Sequence, residues 1–232
     1  MRVMHPTDTT KASTIPSSLV NGGAPNSNEA LRHHVMERGI NYLVHFTRVE
    51  NLPNILQHGL LSRKEAQQMG LYPYVTDQYR YDNKPDTISL SIEHPNEKMF
   101  YCKRKQYGLE GDWVVLLLHP SILWEKRCAF YPHNAATAGW SAKDTALLEK
   151  VEAFEAMFYA DAVRQAGQLA ANQTTDVQAE VMVFERIEKR YLLGVAMNPG
   201  PLYQNKLELL AYFNVQNVIR PELFQPRHGF IA

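Results

Sequence analysis

Gln178-Ala179-Glu180-Val181-Met182-Val183-Phe184 is the stretch on which the reading of this chain turns. The run Val181 to Phe184 is short, apolar and partly β-branched, which predicts a strand. Glu180 opens it, and a carboxylate there loses hydration as the strand packs and must find a donor. Side chains alternate along a strand, so Gln178 and Glu180 are expected on one face, about 7 Å apart, with Ala179 on the other. An amide and a carboxylate so spaced can grip a sugar and a base together. The same letters also suit a solvated strand edge, and the choice between the two rests on the rest of the chain.

Composition narrows the field without deciding it. The 232 residues are 45% hydrophobic and 21% charged, as in an ordinary globular protein with room for a proper core. Lysines and arginines number 24 and acids number 24, so no global field announces nucleic acid or membrane, and any nucleic-acid contact must be local. Cys102 and Cys128 form neither a disulfide framework nor a metal spacing. No His-x-x-x-His on a helix, Cys-x-x-Cys or glycine-rich phosphate loop is present, which argues against a metal enzyme and the common nucleotide folds. No apolar run suits a signal peptide or a membrane span of about 18 residues. A cytoplasmic location is expected. Residues 1–38 open with a Ser, Thr, Pro, Asn and Gly-rich stretch and are expected to be a disordered or loosely attached tail, with one domain over 39–232.

Along the folded part, Tyr42 to Phe46 reads as a buried strand, and Asn51-Leu52-Pro53 opens a helix that Gly59 stops. Ser62-Arg63-Lys64-Glu65 is a capping box for a second helix. Residues 71–86 form a polar loop long enough to suspect function. Ile88 to Ile92 alternates apolar residues with Ser89 and Ser91. Trp113 to Leu118 is wholly apolar and must be central in a sheet, and a helical turn over 120–124 and a strand over 128–131 follow. Leu147, Leu148, Val151, Phe154 and Phe158 predict one amphipathic helix over 145–158, then a polar loop over 164–176. Strands over 192–196 and 215–219 flank a helix over 202–213. With strands interspersed and no βαβ rhythm, the fold class is α+β.

Three sets of residues resemble the DarT-like DNA ADP-ribosyltransferases. His45-Phe46-Thr47 with Asn51-Leu52-Pro53 and Gly59-Leu60 is similar to the N-terminal motif of that family. Arg80-Tyr81-Asp82, Ser89-Leu90-Ser91, Pro95-Asn96 and Met99-Phe100-Tyr101 resemble its middle. Phe130, Asn134-Ala135-Ala136 and Gln178-Ala179-Glu180 complete the ordered set, from about Tyr42 to Phe224. Pro95-Asn96 and Asn134-Ala135-Ala136 look most like the branch that modifies guanine rather than thymine. The resemblance implies an ADP-ribosyltransferase-like fold, two twisted, mainly antiparallel sheets forming a cleft for NAD, with flanking helices. It implies a toxin that attaches ADP-ribose to a base in single-stranded DNA, restrained by a cognate antitoxin of the ADP-ribosylglycohydrolase type.

On that footing Glu180 is the expected catalytic carboxylate, since breaking the nicotinamide bond builds positive charge on the ribose. It can also take a proton from the attacking base. Arg80 is expected to contact the cofactor phosphates or orient Glu180, for which a planar guanidinium is suited. His45, Thr47, Asn51, Ser89 and Ser91 are the remaining NAD candidates, although Asn51 also suits a helix cap. Lys98, Lys103, Arg104 and Lys105, interleaved with Phe100, Tyr101 and Tyr107, suit phosphate contacts beside stacking surfaces. Their ordinary alternative is a charged surface turn. Asn134 and Gln178 are candidates for reading the base. Transfer to RNA or protein, or a catalytically silent NAD or nucleic-acid binding module, are the competing functions; no metal is expected.

Overall fold

Why seven short apolar runs form one sheet, and where that sheet parts, follows from their pairing. The computed structural model describes residues 27–75, 84–107, 113–198 and 203–227. Its strands are β1 (Leu43–Arg48), β2 (Ile88–Ile92), β3 (Trp113–Leu118), β4 (Cys128–Tyr131), β5 (Glu180–Val183), β6 (Leu192–Met197) and β7 (Asn217–Val218), in the spatial order β4-β5-β2-β1-β3-β6-β7. All pairs are antiparallel except β6 with β7. The helices are α1 (Ser27–Glu37), α2 (Leu52–His58), α3 (Arg63–Gln68), α4 (Glu97–Tyr107), α5 (Ile122–Glu125), α6 (Ala138–Ser141), α7 (Thr145–Leu148), α8 (Val151–Ala156), α9 (Asp161–Ala166) and α10 (Tyr203–Tyr212).

β3 is buried along its whole length because both faces are covered. Val114, Leu116 and Leu118 enter the larger core, whereas Trp113, Val115 and Leu117 pack with Phe100, Leu223 and Phe224 on the other side. That is the period of two expected of a central strand. β1 pairs with β3 at every residue, but with β2 only through Leu43↔Ile92 and Val44↔Ser91. Beyond those two pairs β2 turns to β5 instead, through Leu90↔Val181, Ser89↔Met182 and Ile88↔Val183. The sheet therefore divides at β2 into two sets of strands. Between β1 and β2 a gap opens.

Several expectations need correction. Residues 27–37, placed in the tail, form α1, whose Leu31 and Val35 are one helical turn apart and buried in the core. The helix read over 145–158 is two: Lys150 takes an extended conformation (φ −92°, ψ 158°), and Leu147 is left exposed. The loop read over 164–176 begins inside α9. Gln178 lies in the turn before β5, not on the strand, so strand alternation does not place it beside Glu180. Finally, β6-α10-β7 is one parallel crossover unit in a chain read as having none.

Gly59 shows why its position takes no other residue. Its φ is +83°, and a Cβ there would lie 2.5 Å from the Ile187 carbonyl oxygen, where Leu60 and Ile187 form a bridge. The α2 stop and the approach of the 187–189 turn are thereby set together. Among the described residues no helix is long and apolar enough to cross a membrane.

Candidate active site

Glu180 is not on a sheet edge. β5 lies between β4 and β2, and the residue is only 5% exposed. Its carboxylate is held by partners from two directions. Oε1 accepts from Asn96 Nδ2 at 3.3 Å, and Oε2 accepts from the Ala135 backbone N–H at 3.1 Å. Each partner is itself fixed. Asn96, 2% exposed, stands before α4 and caps it, its Oδ1 accepting from Met99 N at 3.2 Å. Its own N–H donates to Ser91 Oγ at 3.1 Å. With Oδ1 committed to the helix, Nδ2 can only face Glu180. On the other side, Asn134 Oδ1 accepts from Ala136 N at 2.8 Å, closing a turn that aims the Ala135 N–H at the carboxylate.

The gap between β1 and β2 forms the mouth of a cleft of about 1180 Å³, its open part included. His45, Thr47, Asn51, Ser89, Ser91, Asn96 and Glu180 all line it. Register puts Glu180, Ser91 and Ser89 on one face of the sheet and His45 and Thr47 on the other. A cavity lined by both sets runs through the parted strands. Where the backbone ladder fails, the His45 ring bridges it, with Nδ1 2.9 Å from the Ser89 carbonyl oxygen.

Two of the expected cofactor contacts, which line the cleft, also have protein partners. Asn51, 8% exposed, makes no helix cap; its Oδ1 accepts from Tyr74 N at 2.6 Å and its Nδ2 donates to Tyr74 O and Thr47 Oγ1, each at 2.9 Å. Its task is to fasten the 71–75 segment to β1. Ser91 Oγ serves Asn96, as above. Asn96 and Arg63 were missed from sequence as site residues. Arg63 opens α3 and lines the cleft. It was masked by its neighbours, whose capping-box pattern explains them fully (Ser62 Oγ accepts from Glu65 N at 3.2 Å).

The expected DNA contacts are scattered by the helix that carries them. Lys98 and Lys105 are exposed on one side of α4 with Tyr101. Lys103 is half-buried on another side. Arg104 is turned inward, donating to Phe224 O at 2.6 Å between the Phe100 and Phe224 rings, and burial lowers its pKa from the usual arginine value. It is a packing arginine, and the four cations do not form one patch. Asn134 spends its carbonyl on the turn described above. Gln178 N donates to Asp176 Oδ1 at 2.7 Å, and Asp176 Oδ2 pairs with His133. The 164–178 segment is tied down further by Arg164, which donates to Ala170 O and Gln173 O at 2.8 and 2.6 Å. Gln178 and Asn134 thus sit on fixed turns flanking Glu180. Arg80 and its neighbours Tyr81 and Asp82 lie outside the described residues. No group of three or more His, Cys, Asp or Glu able to hold a metal occurs among the described residues.

Residues 44–222 match the family described as DarT, ssDNA thymidine ADP-ribosyltransferase. The chain belongs to the DarT family. Members of this family are NAD-dependent ADP-ribosyltransferases acting on single-stranded DNA. Solved structures agree on the fold. Thermus sp. 2.9 DarT in complex with ADP-ribosylated ssDNA is 17% identical, with a TM-score of 0.53 over 80% of this chain and 96% of that one. The same Thermus protein in complex with carba-NAD+ gives 15% identity and a TM-score of 0.55 over 79% and 97%. Thermosipho africanus DarTG in complex with ADP-ribose gives 16% and 0.57 over 81% of this chain, which spans 52% of the DarTG chain. At such identities the likeness carries the fold alone. No curated protein matches by sequence.

Proposed function

We propose that this DarT-family chain transfers ADP-ribose from NAD to a base of single-stranded DNA, with Glu180 as the catalytic carboxylate. The observation that carries the reading is a buried glutamate, gripped by Asn96 and Ala135, at a cleft that runs through a parted sheet. The bond between nicotinamide and the ribose C1″ breaks, its electron pair leaving with nicotinamide. Positive charge develops on the ribose beside Glu180, which stabilises it without reorganising. A ring or exocyclic nitrogen of the base then bonds to C1″, and its proton passes to Glu180 or to water. His45 and Ser89 hold the nicotinamide ribose, while Arg63, and Arg80 from the 76–83 segment, meet the pyrophosphate. Gln178 and Asn134 face the incoming base, and Lys98 and Lys105 meet the DNA backbone.

A base stacked in a duplex hides its reactive edge, which favours a single-stranded acceptor. Guanine is the acceptor we favour, on the resemblance of Pro95-Asn96 and Asn134-Ala135-Ala136 to that branch. Thymine is the second reading, favoured by the family's description. The enzyme acts in the cytoplasm as a toxin, with an antitoxin that removes the ADP-ribose as its partner.

Labelled NAD incubated with oligonucleotides lacking guanine or lacking thymine tests both levels. No label without guanine supports the first reading, equal label without guanine supports the second, and label on protein alone removes the DNA reading. Glu180→Gln should still bind NAD while transfer falls by orders of magnitude. Undiminished transfer would remove Glu180 from the mechanism.

A further inference from the structure

In the wall of the cleft, Tyr74 is held in an unusual way. Its backbone N–H and carbonyl are both bonded by the Asn51 side chain, at 2.6 and 2.9 Å, as a neighbouring strand would hold them. The residue is nevertheless 45% exposed and lines the cleft. The Arg48 guanidinium lies 5.1 Å from the ring centroid, and Tyr107 meets the ring edge-on at 6.4 Å. Arg48 is committed elsewhere as well, donating through Nε and Nη2 to Glu50 and through Nη1 to Tyr107 O. With those donors spent, Arg48 serves as a fixed floor under the ring. An exposed aromatic whose backbone, floor and edge are all fixed has already lost its freedom before anything binds, which favours stacking of a flat partner.

Which flat partner follows from the sheet register. Val44 pairs with Ser91, and the β2–β5 register, continued one residue past Leu90↔Val181, sets Glu180 in the same row. Thr47, which touches Asn51, is three residues farther along β1. Two strand spacings and three residues separate Glu180 from Thr47 by roughly 14 Å before any splaying of the gap. A nicotinamide riboside placed at Glu180 is shorter than that span toward the Asn51-held Tyr74, whereas a second nucleoside joined through a pyrophosphate covers it. Resting on the reading of this cleft as an NAD site, we propose that Tyr74 is the stacking platform for the adenine of NAD. Asn51 and Arg48 then act as positioning residues for it.

Nicotinamide mononucleotide lacks the adenosine and separates this idea from the general one. Tyr74→Ala should raise Kd and KM for NAD roughly 10- to 100-fold, the loss of one base-on-aromatic stack, with kcat nearly unchanged. Binding of nicotinamide mononucleotide should be the same in both proteins, and Tyr74→Phe should restore NAD affinity. Equal NAD affinity in Tyr74→Ala would overturn the proposal, as would parallel loss of mononucleotide binding, which means the ring merely shapes the cleft. A raised KM for the oligonucleotide alone would assign the ring to DNA instead. Failure of the unaltered protein to bind NAD at all is a different result, and sinks the functional reading itself.

Discussion

A single amide decides how Glu180 is presented. Asn96 caps α4 with one atom and bonds the carboxylate with the other, so helix and carboxylate are locked in one geometry. Asp at this position still caps a helix, but sets a second negative charge against Glu180. Two carboxylates sharing a site raise the apparent pKa of the pair. Asn96→Asp is therefore expected to fold normally and to lose activity near neutral pH, recovering part of it as pH rises. A pH–rate profile of the variant reads this directly, and an unshifted acid limb would mean that Asn96 does not act through Glu180. Sequence made Glu180 legible because a carboxylate opening an apolar strand is conspicuous. Asn96 was legible only as part of a resemblance, since its partner is 84 residues away.

At the scale of elements, α4 separates charge that the linear sequence groups together. Lys103, Arg104 and Lys105 are consecutive, but a helix turns each by about 100°. Replacing Lys98 and Lys105 together should weaken single-stranded DNA binding and reduce the salt slope by roughly 0.7 per lost phosphate contact. Arg104→Ala should lower the melting temperature instead, because its guanidinium joins α4 to the 221–224 turn. Titrations at several salt concentrations beside thermal melts separate the two outcomes. An unchanged salt slope in the lysine pair would mark that face as ordinary solvated surface. The turn after α2 makes a sharper prediction. Gly59→Ala combines a positive φ with a 2.5 Å clash against backbone, and should destabilise by more than about 1 kcal/mol, measured by denaturant unfolding. Apolar runs gave most strands to within two residues. The divided helix over 145–156 was invisible because apolar spacing continues across Lys150, where only the backbone conformation breaks.

For the molecule as a whole, strand order was beyond reach from sequence. Pairing β2 with both β5 and β1 depends on where chain segments far apart meet, and no local pattern records that. The packing of α1 was hidden differently: Leu31 and Val35 signal a helix face, but they are set among polar residues beside a tail-like stretch. Global stability also carries a pH signature. Burial raises the Glu93 pKa, only partly offset by the Asn41 backbone N–H that donates to it. A carboxylate with a raised folded-state pKa binds more protons folded than unfolded, so stability falls as pH rises from the ordinary carboxylate value to the raised one, and stays lower above it. Glu93→Gln keeps an acceptor for Asn41 and removes the charge. It should melt at or above the unaltered protein at pH 8, with the advantage gone at acid pH where Glu93 is protonated. A lower melting temperature at pH 8 would show that the charged hydrogen bond outweighs burial.

The parted sheet has a consequence for a chain still being synthesised. His45 and the cleft wall emerge early, Asn96 midway, Ala135 later, and Glu180 only with β5, which must thread between β4 and β2. Such long-range pairing forms slowly and late. A ribosome-bound fragment that stops short of β5 therefore exposes donors with no carboxylate to hold and, on the proposed mechanism, is chemically inert. On that reading the reactive geometry appears all at once, when β5 takes its place between β4 and β2.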